Sequence, residues 1–393
     1  MRATRTLPLA LTATLALTAC GGSALSGDGG DGGGDDKVKI ALLVPQSGVY
    51  APLGKDMEAG FRLYLEENDN QLGGRDVEVT VVDEGAGPED GVPAGTKLAQ
   101  DESVDAVVGV VNSATALGLT DSFDEAKKPL IIANAGADAI TGKESSKYVW
   151  RTSFANGEVG GAIGEHVAKE VGDGKVYLVG PDYAAGDEFL AGFKKSFEGA
   201  GGKIAGTQMT PFGKTTNFQP YLQKVRNAKP DAVFAFYAGS EAVTFVKQYD
   251  QLGLHENIPF YATGFLTEGG ALEAQGKSAE GIFTSLHYSS ALDNDVNTDF
   301  VAAYEKENDG PPTTYSVQAY DAADVLDQSL EGASNGDDIV KGLGEIEEID
   351  SPRGPWSFSD EQGPDQTYYL RKVEQKDGAW TNSVEDELTK PSS

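Results

Sequence analysis

Short apolar segments alternate with amphipathic segments along most of this chain, and this alternation limits the folds that it can adopt. "VKIALLV" (38–44) is typical of a buried strand, and "GKDMEAGFRLYLEEN" (54–68) carries apolar residues at the spacing of one helix face. Further strand patterns occur at 76–84, 105–111 and 129–134, with helical patterns between them. Strands separated by helices form parallel sheets that are covered on both faces. The sequence therefore predicts an α/β fold.

The same rhythm starts again after Arg151. "KVYLVG" (175–180) is a predicted strand, and "DEFLAGFKKSFEGAG" (187–201) is a predicted helix that ends at glycines. Strand and helix patterns continue to about residue 286, and helical patterns follow. We therefore expect two doubly wound lobes in tandem, with "KYVWRTSFANGE" (147–158) as a segment that crosses between them.

The first residues have the composition of a secretory signal. Two arginines precede an apolar stretch that ends in "LTAC" (17–20), which resembles a bacterial lipobox. Residues 1–19 are therefore predicted to be a signal peptide, and the resemblance implies that Cys20 is lipidated and anchors the chain to a membrane. Cys20 is the only cysteine among 393 residues. The Gly-, Ser- and Asp-rich remainder of 20–36 is typical of a flexible tether.

Charge and motifs exclude several classes of function. The formal net charge is −31, whereas nucleic-acid binding requires clustered Lys and Arg. The histidines His166, His255 and His287 have no metal-ligand spacing, and the chain has no G-x-S-x-G or phosphate-loop motif. We therefore predict a protein that is not an enzyme and that needs neither a cofactor nor a metal.

Small polar residues follow two of the predicted strands of the first lobe. "NSAT" (112–115) comes after a valine-rich strand, and "NAGA" (134–137) comes after "LIIA". Ligands of doubly wound sheets bind outside the carboxyl ends of strands, where helix N-termini offer unpaired N–H groups. Asn, Ser and Thr also cap helices without any ligand. Two such loops in one sheet favour a binding site for a small anion.

Ordered sequence blocks give the chain a family resemblance. The segment 45–84 has a Ser-Gly loop, a helix with two spaced glycines and a Gly-Gly pair before the second strand. Later blocks are "VDAVVGVVNSAT", "ANAGADAITG", "YVWRTSFANGE", "KPDAVFAFYAG", "FVKQYDQLGL" and "YSVQAYDAADVL". In this order they resemble the type I periplasmic binding proteins of ABC importers, in the leucine/isoleucine/valine-binding branch.

The resemblance implies two lobes that are joined by three crossings and close on a ligand. The expected N-lobe comprises residues 37–154 and 289–352, and the C-lobe comprises 155–288 and 353–385. Ser113 and Thr115 would hold the ligand carboxylate. The full set of expected ligand-binding residues is Tyr50, Asn112, Ser113, Thr115, Ala135, Gly136, Ala137, Tyr183, Tyr237, Gly239 and Phe265.

One departure from the family bears on the ligand. Amino-acid binders of this family pair the ligand ammonium with an acidic residue after the strand here written "IPFYATG", where this chain has Thr263, Gly264 and Phe265. Glu268 and Glu241 are the remaining candidates, and a buried ammonium without a counter-charge is costly. The sequence also resembles binders of aromatic acids, which need no such residue. Both ligand classes stay open, with a branched-chain amino acid first.

The expected role is that of an extracytoplasmic, lipid-anchored receptor at the cell surface or in the periplasm. It would act as a monomer and deliver a small carboxylate to an ABC permease and its ATPase. A sensory ligand-binding receptor with the same fold is the main alternative. An extracytoplasmic hydrolase is a third hypothesis, which the missing catalytic motifs disfavour.

Overall fold

A computed structural model describes residues 37–142 and 146–390, so the predicted signal peptide, Cys20 and the tether lie outside the described residues. Its first sheet has six strands in the order β2-β3-β1-β4-β5-β6. These strands are β1 (Val38–Val44), β2 (Gln71–Leu72), β3 (Arg75–Asp83), β4 (Ala106–Gly109), β5 (Leu130–Ile132) and β6 (Val149–Arg151). All neighbours are parallel except β2 and β3, which form a hairpin across Gly73 and Gly74.

The second sheet has seven strands in the order β15-β14-β11-β10-β9-β7-β8. Its strands are β7 (Lys175–Asp182), β8 (Lys203–Pro211), β9 (Ala232–Ala235), β10 (Phe260–Thr263), β11 (Phe283–Leu286), β14 (Tyr368–Lys376) and β15 (Ala379–Leu388), while β12 (Ser357–Phe358) and β13 (Pro364–Asp365) form a separate ribbon. Strand β14 is antiparallel to both of its neighbours, β15 at the edge and β11, and the other pairs are parallel. The predicted α/β class with two parallel-sheet lobes is confirmed.

Helices cover both faces of each sheet. They are α1 (Ala51–Glu67), α2 (Pro88–Gln100), α3 (Ser113–Ala126), α4 (Asn156–Ala162), α5 (Gly164–Val171), α6 (Ala184–Gly199), α7 (Gln219–Ala228), α8 (Gly239–Gln251), α9 (Gly270–Gln275), α10 (Asp295–Glu307), α11 (Thr314–Leu330) and α12 (Gly336–Leu343). Alternate residues of β1 point to opposite faces, because side chains alternate along a strand. Ile40 and Leu42 pack in one apolar cluster with α1 and α11, while Ala41 and Leu43 pack in another with α2 and α3.

The chain passes between the two sheets three times: after β6, after β11 and after the ribbon of β12 and β13. The third passage comes later than the boundary at residue 352 expected from the sequence. Arg353 is ion-paired to Asp321 of α11, the Arg151 N–H donates to the Gln362 carbonyl, and the Phe358 ring lies 4.8 Å from Trp150. Residues 353–363 therefore stay with the first sheet. A local sequence pattern does not show which sheet such a segment contacts.

Helices α1 and α11 pack closely because of a glycine at their contact. A Cβ atom at Gly60 of α1 would overlap the backbone carbonyl of Ser316 in α11. No side chain larger than hydrogen fits there without a shift of one helix.

We predict that Gly60→Ala lowers the free energy of unfolding by about 1–3 kcal/mol, because it overpacks a rigid backbone contact. Gly199→Ala is the matched control, because a Cβ atom there has no neighbour within 4 Å. The control should raise stability by about 0.4–1 kcal/mol through the unfolded state. Urea unfolding of the mature protein measures both changes. A Gly60→Ala variant as stable as the control would contradict the packing.

Candidate ligand-binding cleft

Each sheet has one point at which the strand order reverses direction. In the first sheet β1 lies between β3 and β4, and in the second sheet β7 lies between β8 and β9. The loops that follow β1 and β4 lead to helices on opposite faces of the first sheet, and those that follow β7 and β9 do so in the second, which opens a crevice at the carboxyl edge of each sheet. Residues from both crevices line a single cleft, so the two reversal points face each other.

The cleft encloses about 300 Å³ of empty space, which includes solvent at its open mouth. Its lining residues are Tyr50, Leu53, Val111, Ser113, Asn134, Gly136, Phe154, Asn156, Tyr183, Ala185, Phe189, Phe236, Ala238, Phe265 and Tyr315. Most of them are apolar or aromatic, and the few polar groups are grouped near the first sheet. This is the usual composition of a small-molecule site, in which a few polar groups orient an otherwise apolar ligand.

The polar end of the cleft begins at the loop between β4 and α3. The Glu84 carboxylate accepts the N–H groups of Val111 and Asn112 at 2.7 and 2.8 Å. The Asn112 side chain caps α3 by accepting the N–H groups of Ala114 and Thr115. Among the described residues, none accepts the N–H of Ser113, so this first donor of α3 is left for a ligand.

Two further donors lie beside the Ser113 N–H. The Asn156 amide donates to Ser113 Oγ at 3.5 Å, and no described acceptor takes the Ser113 hydroxyl proton. The backbone N–H of Gly136 likewise has no acceptor within the described ranges. We call the Ser113 N–H, the Ser113 hydroxyl and the Gly136 N–H the anion cradle. The positive end of the α3 dipole adds about 0.3–1 kcal/mol for a bound anion.

Close packing explains the glycine in the anion cradle. A Cβ atom at Gly136 would overlap the ring of Phe154 and the side-chain amide of Asn156. Glycine is therefore required for the backbone of this loop to approach the crossing segment and the cleft.

Glu84 is a buried carboxyl group without a cationic partner among the described residues. Burial raises the pKa of Glu84 to about 8, and the two backbone N–H groups and the Thr115 hydroxyl oppose this effect. Neither the residue nor its role was anticipated from the sequence, where Glu84 is only the last residue of a strand pattern.

Seven aromatic rings enclose the rest of the cleft. We call this set the aromatic wall: Tyr50, Phe154, Tyr183, Phe189, Phe236, Phe265 and Tyr315. Ring centroids of Phe189 and Phe236 lie 4.1 Å apart, and those of Phe154 and Phe265 lie 4.8 Å apart. Such rings provide large apolar area and offset or edge contacts to another ring.

The two lobes touch across the mouth of the cleft. The hydroxyls of Tyr50 and Tyr183 are hydrogen bonded at 2.7 Å, and Phe212 stacks on Tyr183 with centroids 4.2 Å apart. Gly239 has a φ of +58° and contacts the carbonyl of Val49 so closely that a Cβ atom would clash. The structure therefore describes a closed arrangement of the cleft.

Neither acidic candidate for an ammonium partner lies in the cleft lining. Glu268 is fully engaged by an ion pair to Arg371 at 2.9 Å and by the N–H of Thr314. Glu241 accepts the N–H of Thr215 in the second lobe. No Asp or Glu is among the described lining residues, so the cleft offers no carboxylate to a ligand cation.

The structure brings five of the eleven predicted ligand-binding residues into the lining: Tyr50, Ser113, Gly136, Tyr183 and Phe265. The other six lie next to it. Asn112 caps α3, Thr115 packs against Gly91, and Gly239 begins α8. The carbonyls of Ala135 and Ala137 accept hydrogen bonds from the side chains of Ser153 and Arg151. The Tyr237 hydroxyl is hydrogen bonded to that of Thr210.

Several lining residues were not anticipated. Phe154 lies in the predicted crossing segment 147–158, and Phe189 lies in the predicted helix 187–201. Phe236 and Tyr315 lie in the family blocks "KPDAVFAFYAG" and "YSVQAYDAADVL", which was the only signal for them. An apolar side chain that faces a cleft has the same local pattern as one that faces a core.

Comparisons with known proteins agree with this geometry. Residues 37–379 match the family described as periplasmic binding protein. The Leu/Ile/Val-binding protein homolog 6 of Brucella melitensis is 32% identical over 87% of this chain and 89% of its own length. The chain belongs to the periplasmic binding protein family, which confirms the resemblance found in the sequence and implies an extracytoplasmic location.

The solved structures that are similar at more than 30% identity include two with a bound aromatic acid. A solute-binding protein of an ABC transporter from R. palustris, in complex with benzoate, is 36% identical with a TM-score of 0.83, over 90% of this chain and 98% of that chain. Another, from Rhodopseudomonas palustris BisB5 in complex with 3,4-dihydroxybenzoic acid, is 31% identical with a TM-score of 0.85, over 91% and 99%.

We predict that the stability of the ligand-free protein falls as pH rises from about 6.5 to 8. In this range folded Glu84 keeps a proton that the unfolded chain has released, because its pKa is raised to about 8. His287, whose pKa is lowered by burial, is neutral in the folded protein, whereas the unfolded chain still protonates it in part near pH 6.5 and opposes the trend only at that end of the range. Glu84→Gln should flatten the dependence of unfolding free energy on pH. Equal slopes for the two proteins would contradict the assignment.

Proposed function

We propose that this chain is the substrate-binding protein of an ABC importer and that its ligand is a small aromatic carboxylate. The observation that carries the proposal is the cleft itself: one anion cradle, an aromatic wall and no carboxylate in the described lining. The two similar structures named above contain benzoate and 3,4-dihydroxybenzoic acid.

The anion cradle suits a carboxylate. A carboxylate oxygen accepts two or more hydrogen bonds, and Ser113 and Gly136, which carry the three cradle donors, both line the cleft. Charge-assisted bonds of this kind are stronger than bonds between neutral groups. The raised pKa of Glu84 also supports a carboxylate ligand, because a protonated Glu84 does not repel an anion in the anion cradle.

The lining disfavours an amino acid. An α-ammonium group in this cleft would lose its water without gaining a counter-charge, since Glu268 is already paired with Arg371. Burying an unpaired charge costs several kcal/mol or more. An aromatic acid needs only the anion cradle and ring contacts.

A branched-chain amino acid, ranked first from the sequence, is the second candidate. It is favoured by the Leu/Ile/Val-binding name of the Brucella melitensis relative. Side-chain and backbone carbonyl oxygens near Asn134 would have to receive the ammonium in place of a carboxylate.

The proposed role is binding and delivery without chemical change. Lipidation at Cys20, action as a monomer and delivery to a permease with its ATPase are parts of this proposal. A sensory receptor shares the fold and the cleft, and the partner decides between the two roles. No helix in the described part of the chain is long and apolar enough to cross a membrane.

We predict that benzoate or a hydroxybenzoate raises the melting temperature of the mature protein, whereas leucine, isoleucine and valine do not. A ligand at a hundredfold excess over its Kd stabilises by about 2.7 kcal/mol. Thermal unfolding at matched ligand concentrations is the measurement. Stabilisation by leucine alone would make the amino acid the ligand.

We predict that substitutions at two neighbouring residues affect different properties, ligand affinity at Ser113 and stability at Asn112. Ser113→Ala removes a cradle donor, so it should weaken carboxylate binding by about tenfold while unfolding of the free protein changes little. Asn112→Ala removes the helix cap and should lower stability by about 1 kcal/mol. Titration calorimetry and urea unfolding measure the two effects. Loss of stability without loss of affinity at Ser113 would make that residue structural.

A further inference from the structure

A buried chain of hydrogen bonds leads from the cleft into the region between the lobes. Asn134, which lines the cleft, donates its Nδ2–H to Gln318 Oε1 at 2.7 Å. Gln318 Nε2 lies 2.9 Å from His287 Nε2, and Thr314 Oγ1 lies 3.0 Å from the same ring nitrogen. All four side chains are buried, and we call Asn134, Gln318 and His287 the amide relay.

The relay has a direction, because each amide has one donor end and one acceptor end. Gln318 Nε2 can only donate, so His287 Nε2 is the acceptor and the ring proton is on Nδ1. Gln318 then presents its oxygen to Asn134, and Asn134 must donate its amide nitrogen. Reversing any one group would place two donors or two acceptors against each other. The tautomer of His287 therefore determines which end of the Asn134 amide is turned away from Gln318.

The free end of Asn134 is its carbonyl oxygen. No described residue donates a hydrogen bond to Asn134 Oδ1. This oxygen is also not one of the solvent-inaccessible polar atoms that lack a partner, so part of its surface is accessible. It is therefore open to the cleft that Asn134 lines. The cleft thus combines donors at the anion cradle with an acceptor at Asn134.

His287 is suited to hold this orientation. Burial, together with the nearby Arg353 and Arg371, lowers the pKa of His287 far below its ordinary value, so the ring is neutral. Each arginine is paired with an acid, Asp321 and Glu268 respectively. His287 Nδ1 has no partner among the described residues. A buried polar atom without a partner is uncommon and calls for an explanation.

We propose that the amide relay fixes Asn134 Oδ1 as an acceptor for a ligand hydroxyl, so that hydroxylated aromatic acids are preferred over benzoate. Asn134 is the specificity-determining residue, and Gln318 and His287 are positioning residues. The inference rests on the proposed function, because it assumes an aromatic carboxylate in the cleft. An acceptor that is left unpaired in a bound complex is the physical origin of the preference.

The first test compares affinities for benzoate, 3-hydroxybenzoate and 4-hydroxybenzoate by titration calorimetry. The full mature protein should bind at least one hydroxylated acid about fivefold or more tightly than benzoate. Asn134→Leu should remove this advantage, so that benzoate and the hydroxylated acids bind this variant with Kd values within about twofold of one another. Gln318→Met should also reduce the advantage, although Asn134 is still present. Gln328→Met, the same change at an exposed position of α11, should alter none of the affinities.

The second test needs no ligand. Nitrogen-15 NMR of the free protein, with His166 and His255 replaced by glutamine, reports the tautomer of the remaining histidine. We expect a proton on Nδ1 of His287. A proton on Nε2 would overturn the inference, because Asn134 would then turn its nitrogen to the cleft.

The outcomes separate this inference from the proposed function. Equal binding of benzoate and both hydroxybenzoates, or a preference that survives Asn134→Leu, would overturn the relay and leave an aromatic-acid binder. Failure of all three acids to bind would overturn the proposed function, whatever the tautomer of His287.

Discussion

Two hydrogen bonds to a buried carboxylate determine what this cleft can hold. Glu84 takes the N–H groups of Val111 and Asn112, and the Asn112 side chain takes those of Ala114 and Thr115. These bonds use every backbone N–H from Val111 to Thr115 except that of Ser113. The loop is therefore rigid and still carries one unused N–H at the positive end of a helix. Without these internal acceptors the loop would have several competing ways to satisfy its donors, and none would be reserved for a ligand.

The aromatic wall and the missing acid act together on specificity. Each ring adds apolar area for almost any ligand, whereas the absence of a free carboxylate selects against cations. Arg371 is central to this selection, because it lies in the second sheet and takes Glu268 away from the cleft. Under the proposed function, specificity thus depends partly on an ion pair whose two residues are outside the described cleft lining.

Sequence reasoning predicted the architecture better than the site. The strand at 38–44 and the alternation around it follow from local periodicity, which both sheets obey. Tyr237 is a residue that this reasoning assigned to the cleft. Its hydroxyl is hydrogen bonded to Thr210 inside the second lobe, whereas its neighbours Phe236 and Ala238 line the cleft. A shift of one residue exchanges the two faces of an extended segment. The pairing of Glu268 with Arg371 joins residues more than a hundred positions apart, and no local pattern records it.

The same long-range polar contacts connect the cleft to the passages between the lobes. Gln318 bonds Asn134 at the cleft, while its backbone carbonyl accepts the Thr152 hydroxyl on the first passage. Arg353 donates to the carbonyl of Ser153 on the first passage and to the Gln366 side chain on the third, and it pairs with Asp321 of the helix that carries Gln318. A ligand that favours one orientation of Asn134 therefore acts on groups that the passages share. A ligand can shift opening and closing only by its differential affinity for the two states. A single buried hydrogen bond is costly to break. A small ligand that stabilises these bonds in one state can therefore produce a difference in affinity between the open and closed states.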